Sequence, residues 1–126
     1  CTEISGGERQ QASIARVMVQ SPRVVMMDEP TSALDFGNQM RVIGMIRRLA
    51  SEGYAVIMTT HTPDHAIMLN DTVALLDRSG ALRVGGTDEI LREDLLSEVY
   101  RTNVRMVYVR EVGRMACLAS NPDARP

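Results

Sequence analysis

The sequence contains no lysine; all 14 of its basic residues are arginine. That absence excludes a Schiff-base lysine. Within these residues it also excludes the phosphate loop GxxxxGK[ST], whose lysine reaches the β- and γ-phosphates. Cysteine is scarce: Cys1 and Cys117 sit at opposite ends with no metal-ligand spacing, which reads as a reduced compartment and no zinc site. No apolar run approaches the roughly 18–20 residues that cross a bilayer, and no basic-then-apolar segment opens the chain. No GxGxxG fingerprint occurs, which weakens a dinucleotide-binding reading. Neither sign of charge dominates, with 14 basic against 16 acidic residues and a net charge of -2. The balance provides no electrostatic footprint for nucleic acid or an anionic membrane surface.

What is present suits one compact domain at most. The chain has 126 residues, 44% of them hydrophobic and 24% charged, enough apolar side chains for a core and a composition unlike that of a disordered segment. It opens at Cys1 rather than at a methionine, and its first element starts almost at once. The expectation is therefore a piece of a longer protein.

Residues 5–21 read as a helix. Ser5 is its N-cap and Glu8 completes a capping box; Ala12, Ala15 and Val19 share one face, with Ile14 and Met18 beside it. Residues 24–27, Val-Val-Met-Met, form a short wholly apolar run of the kind that suits a buried parallel strand. A helix over 37–52 follows from Val42, Met45, Ile46 and Leu49, with Gly53 as its stop. A second buried strand covers 54–60, a short helix 63–69 and a third strand 72–76. A turn at Arg78-Ser79-Gly80 leads into a strand at 81–84, which reads as a hairpin. Thr87 caps a helical stretch that runs to Tyr100, broken near Arg92, with Asp88 and Glu89 at its positive end. Residues 104–109 and 115–118 read as a further hairpin. Alternating strands and helices predict an α/β fold in which the first three strands share a parallel sheet.

Four places can carry chemistry, and each has a plainer reading beside it. Asp28-Glu29 ends the first strand, where ligands of open parallel sheets bind. There an Asp can hold Mg²⁺ and a Glu can polarise an attacking water, or the pair is only a solvated acidic turn. Ser5-Gly6-Gly7-Glu8 opens a helix, where backbone N–H groups and the helix end favour an anion, or it is an ordinary glycine-containing cap. His61 follows the second strand and should emerge near Glu29, poised for a phosphate, or it is a lone structural histidine. Asp35, at the end of Ser32-Ala33-Leu34-Asp35, is a functional carboxylate or merely a helix cap.

Taken in order, these segments resemble the second half of an ABC-type ATPase domain, a P-loop NTPase fold. Ile4-Ser5-Gly6-Gly7-Glu8-Arg9-Gln10 is similar to the family signature, with Ile4 in place of the usual Leu and Glu8 in place of a frequent Gln. Val24 to Glu29 resembles Walker B, Ser32 to Asp35 the D-loop, and His61 the switch histidine. The resemblance covers roughly residues 2–90. The family's Walker A and Q-loop lie upstream of the signature.

The resemblance implies ATP and Mg²⁺ as cofactors, with Asp28 handling the metal, Glu29 polarising water and His61 contacting the γ-phosphate. It assigns Ser5, Gly6, Gly7 and Glu8 to the ATP of a second subunit and Asp35 to coupling between sites. The implied partners are that second ATPase subunit in a dimer sandwich and transmembrane permease subunits, without nucleic acid. The implied location is the cytoplasmic face of the bacterial plasma membrane, peripherally. Residues 1–91 would belong to the ATPase domain, 92–119 to its C-terminal extension and 120–126 to a loose tail. Asp35-Phe36-Gly37-Asn38-Gln39 and residues 59–66 further resemble importers of iron–siderophore, haem or cobalamin chelates. Two rivals stand beside this reading: a soluble ABC-type ATPase not linked to transport, and a truncated dimerisation module that does not hydrolyse ATP. Without Walker A, the 126 residues alone are expected to be inactive.

Overall fold

A computed structural model describes residues 6–122. Ile4 and Ser5 of the signature-like segment, Cys1, and the last four residues of the tail lie outside the described residues. The chain divides after His61 into two compact units.

The first unit contains α1 (Gly6–Met18), β1 (Val24–Met27), α2 (Phe36–Ser51) and β2 (Ala55–Met58). Strands β1 and β2 pair in parallel, with Val24 opposite Ala55 and Met27 opposite Met58. Helix α2 buries Val42, Ile43, Ile46 and Leu49, a stripe recurring at the helical period. Val25 and Met27 are buried on alternate positions of β1. Helix α2 ends where Gly53 takes φ +95, a conformation that suits a residue without Cβ.

Helix α1 corrects two expectations. It stops at Met18, three residues before Ser21. Its buried residue is Ile14, with Met18 half-buried behind it, while Ala12, Ala15 and Val19 are exposed. The bulkier pair at i and i+4 removes more apolar area from water than the alanine face can.

The second unit contains α3 (Pro63–Leu69), β3 (Thr72–Leu76), β4 (Leu82–Gly86), α4 (Thr87–Ile90), α5 (Glu93–Tyr100), β5 (Val104–Val109) and β6 (Arg114–Ala119). Both strand pairs are antiparallel, β3 with β4 and β5 with β6. The expected three-stranded parallel sheet is therefore not what β3 joins. The Asp77 carboxylate accepts hydrogen bonds from the Ser79 and Ala81 N–H groups, closing a tight turn that returns the chain directly alongside β3. The core of this unit comprises Ile67, Leu91, Leu96 and Val104, with Val73, Met106 and Met115 against it.

The break near Arg92 occurs as read, since Arg92 is the N-cap of α5. The cap of α4 is Gly86, not Thr87. Thr87 is instead the first helical residue, and its hydroxyl donates to the Asp71 carbonyl at 3.1 Å. A Cβ at Gly85 would lie 2.6 Å from Glu89 Oε2, so a side chain there would push the Glu89 carboxylate aside. Glu93 fastens α5 to β5: Oε1 accepts from the Met106 N–H at 2.8 Å and Oε2 from Arg105 at 3.1 Å. Among the described residues no helix is long and apolar enough to cross a membrane.

Candidate functional site

The carboxyl ends of β1 and β2 lie side by side because the two strands run parallel in register. The ladder continues one step beyond the strands, with the Thr59 N–H donating to the Met27 carbonyl at 2.9 Å. This places Asp28 and Glu29, leaving β1, next to Thr59, Thr60 and His61, leaving β2. His61 Nδ1 lies 3.1 Å from Glu29 Oε1. Both side chains are open to solvent, His61 at 72% and Glu29 at 47% exposure, so the pair is accessible to a ligand. Glu29 itself adopts φ 44, a left-handed conformation uncommon for any residue but glycine. Its carbonyl accepts from the Ser32 N–H at 3.0 Å.

Thr59 links the Asp28 carboxylate to the Glu29 backbone. Its hydroxyl donates to Asp28 Oδ1 at 2.5 Å and accepts from the Glu29 N–H at 2.9 Å. Sequence reasoning does not single out Thr59; the signal for it is register, one step past the Met27–Met58 pair, which is visible only once the strands are aligned.

Asp35 is the N-cap of α2. Oδ1 accepts from the Asn38 N–H at 2.8 Å and Oδ2 from the Asn38 side-chain amide at 3.0 Å, which is the plainer of the two roles considered for it. Gly6 begins α1, and a Cβ added there would lie 3.3 Å from Leu34 Cδ2, so the opening of α1 lies close to the segment just before Asp35. Gly7 and Glu8 follow in the first turn of α1, with Glu8 exposed. Ser5 lies outside the described residues. The structure thus gathers Asp28, Glu29 and His61 at one sheet end, while Gly6 and Asp35 meet other neighbours.

Among the described residues no three His, Cys, Asp or Glu side chains are grouped to hold a metal. A single strand-end carboxylate still fits Mg²⁺, which binds through one or two carboxylates and completes its shell with phosphate and water. With one oxygen on the Thr59 hydroxyl, Asp28 retains a second, hard oxygen for such a cation. Among the described residues five groups are perturbed, all in the second unit, Glu93 and Cys117 among them. The Glu93 carboxyl is held below its usual range, first by the Met106 N–H and then by Arg105. Burial pushes the Cys117 thiol up, and the Asp64 carboxylate adds to the shift.

The ABC transporter family profile matches residues 1–32. An uncharacterized ABC transporter ATP-binding protein of Haemophilus influenzae is 40% identical over 106 residues, covering 84% of this chain and 40% of the relative. The hemin import ATP-binding protein HmuV of Streptomyces coelicolor is 43% identical over 98 residues, covering 77% of this chain and 35% of its own. A solved structure described as a metal-chelate type ABC transporter in an inward-facing conformation superposes with a TM-score of 0.87 at 29% identity. That superposition covers 96% of this chain and 49% of the solved one. The chain therefore spans less than half the length of the curated relatives it matches. Over the part that it spans, the chain has the sequence and fold of an ABC transporter ATP-binding domain.

Proposed function

We propose that the chain supplies the hydrolytic strand ends of the ATP-binding subunit of an ABC importer, acting on an iron–siderophore, haem or cobalamin-type chelate. The cargo class is supported by its likeness to a hemin import ATP-binding protein and to a metal-chelate type transporter. The observation that carries the hydrolytic reading is the 3.1 Å Glu29–His61 pair beside Asp28 at the ends of adjacent parallel strands.

In this reading Asp28 and its neighbours hold Mg²⁺, which neutralises phosphate charge when bound. Glu29 polarises the lytic water, and His61 orients Glu29 and reaches for the γ-phosphate. Ser5, Gly6, Gly7 and Glu8 present the start of α1 to the ATP of a second subunit, and Asp35 helps couple the two ATP sites. Residues 1–91 work as part of the ATPase domain and 92–119 as its extension. The subunit dimerises and drives permease subunits from the cytoplasmic face of the plasma membrane. These 126 residues contain no lysine for the phosphates, so hydrolysis is a property of the whole subunit.

Glu29→Gln in the whole subunit tests the proposal. The amide keeps the shape and removes the base. Turnover should fall by about 10²–10⁴, roughly 2.7–5.4 kcal/mol on the barrier, while ATP still binds and the ATP-bound dimer accumulates on size exclusion. Asp28→Asn should instead weaken Mg²⁺ use. Turnover near wild type in Glu29→Gln would reduce the pair to a solvated strand end.

A further inference from the structure

The geometry points to Thr59 as a positioning residue, its hydroxyl clamping Asp28 and Glu29 into the arrangement that hydrolysis needs; this rests on the hydrolytic reading above. The hydroxyl has one proton to donate, and it goes to Asp28 Oδ1; a lone pair receives the Glu29 N–H. One atom therefore sets the orientation of one carboxylate and the backbone of the next. The clamp is itself anchored, since the Thr59 N–H is bonded to the Met27 carbonyl and a β-branched side chain is stiff at χ1.

The clamp matters because Glu29 sits at φ 44. Such a conformation persists only where its surroundings over-determine it. Here the N–H is held by Thr59 from one side and the carbonyl by Ser32 from the other. Without the hydroxyl the peptide can relax toward the extended region, and the Glu29 carboxylate then leaves His61. Asp28 loses its fixed oxygen in the same step, so the cation and the water lose their reference together. Valine matches threonine in shape and lacks the hydroxyl; serine keeps the hydroxyl and loses a methyl.

The test compares Thr59→Val and Thr59→Ser in the whole subunit, reading ATP turnover, the Mg²⁺ concentration for half-maximal turnover, and hydrogen exchange of the Glu29 amide without nucleotide. Thr59→Val should lower kcat and raise the Mg²⁺ requirement, each by about tenfold, as for residues that orient metal ligands. Its KM for ATP should stay within about twofold, and its Glu29 amide should exchange faster. Thr59→Ser should behave as wild type in all three. Wild-type kcat, Mg²⁺ dependence and exchange in Thr59→Val would overturn the clamp. So would a serine variant as impaired as the valine one, since that is a packing effect. Absence of ATP turnover in the unmodified subunit would sink the hydrolytic reading instead. The Glu29 amide would then still judge the clamp, with unchanged exchange in Thr59→Val overturning it.

Discussion

The first unit leaves half of its sheet bare, whereas the second closes a small core of its own. In the first, α2 supplies Val42, Ile43, Ile46 and Leu49 to the core, and alternation along β1 buries Val25 and Met27. The alternate residues of the strands face out: Met26 is 77% exposed and registers beside Ile57, also exposed. Parallel strands are normally covered on both faces. In the second unit α3, α4, α5 and β5 bury Ile67, Leu91, Leu96 and Val104 together, with Leu96 only 1% exposed. The β3–β4 hairpin shares something of the first unit, since Leu76 and Leu82 lie opposite each other and exposed. Antiparallel hairpins find their partner within a few residues and can close a core locally. A parallel pair needs a crossover and two covering layers. The chemistry-bearing residues lie on the less self-sufficient unit, at strand ends that only a parallel pair brings side by side.

Core truncation breaks the comparison most sharply. Leu96→Ala should destabilise by about 2–5 kcal/mol, whereas Met26→Ala on the bare face should change stability by less than about 0.5 kcal/mol. Urea unfolding of both variants decides it. Equal losses would mean that Met26 is covered in solution and that the two units bury their strands alike.

Acid sharpens the comparison with a smaller effect confined to the second unit. The folded Glu93 carboxyl lies below its ordinary value, first through the Met106 N–H and then through Arg105. A depressed carboxylate adds stability that is complete above the unfolded value and disappears as pH falls through the folded one. The thermal midpoints of wild type and Glu93→Gln should therefore differ above about pH 5 and converge in stronger acid, below the usual Glu range. A gap that is constant across this range would remove the charge from the explanation.

The smallest effect is a rate. The Cys117 thiol is raised by burial and by the Asp64 carboxylate, and only the thiolate reacts. Iodoacetamide should modify Cys117, in a Cys1→Ser background, several-fold more slowly than a free thiol at about pH 8. Labelling as fast as a free thiol would show that β6 opens in solution, and the second unit would then be no more closed than the first.

Much was legible where the signal is local. The helix from Pro63 to Leu69 and the strands at 24–27 and from Thr72 to Leu76 have the bounds read for them, because periodicity, proline and turn residues act within a few positions, although only Val25 and Met27 of β1 are buried. Asp28, Glu29 and His61 could be placed together from strand ends and a single intervening helix, and the Glu29–His61 distance agrees with that placement. The face of α1 was misread because alanines and Ile14 satisfy the same period, and only packing weighs their volumes.

By itself the sequence determined the elements, the order of the family-like segments and the absence of any lysine for phosphate. Tertiary structure alone decided that Glu29 is held at positive φ and that Thr59 stands between the Asp28 carboxylate and the Glu29 N–H. Both depend on which strands pair and in what register, a choice made among residues about thirty positions apart that no local pattern encodes.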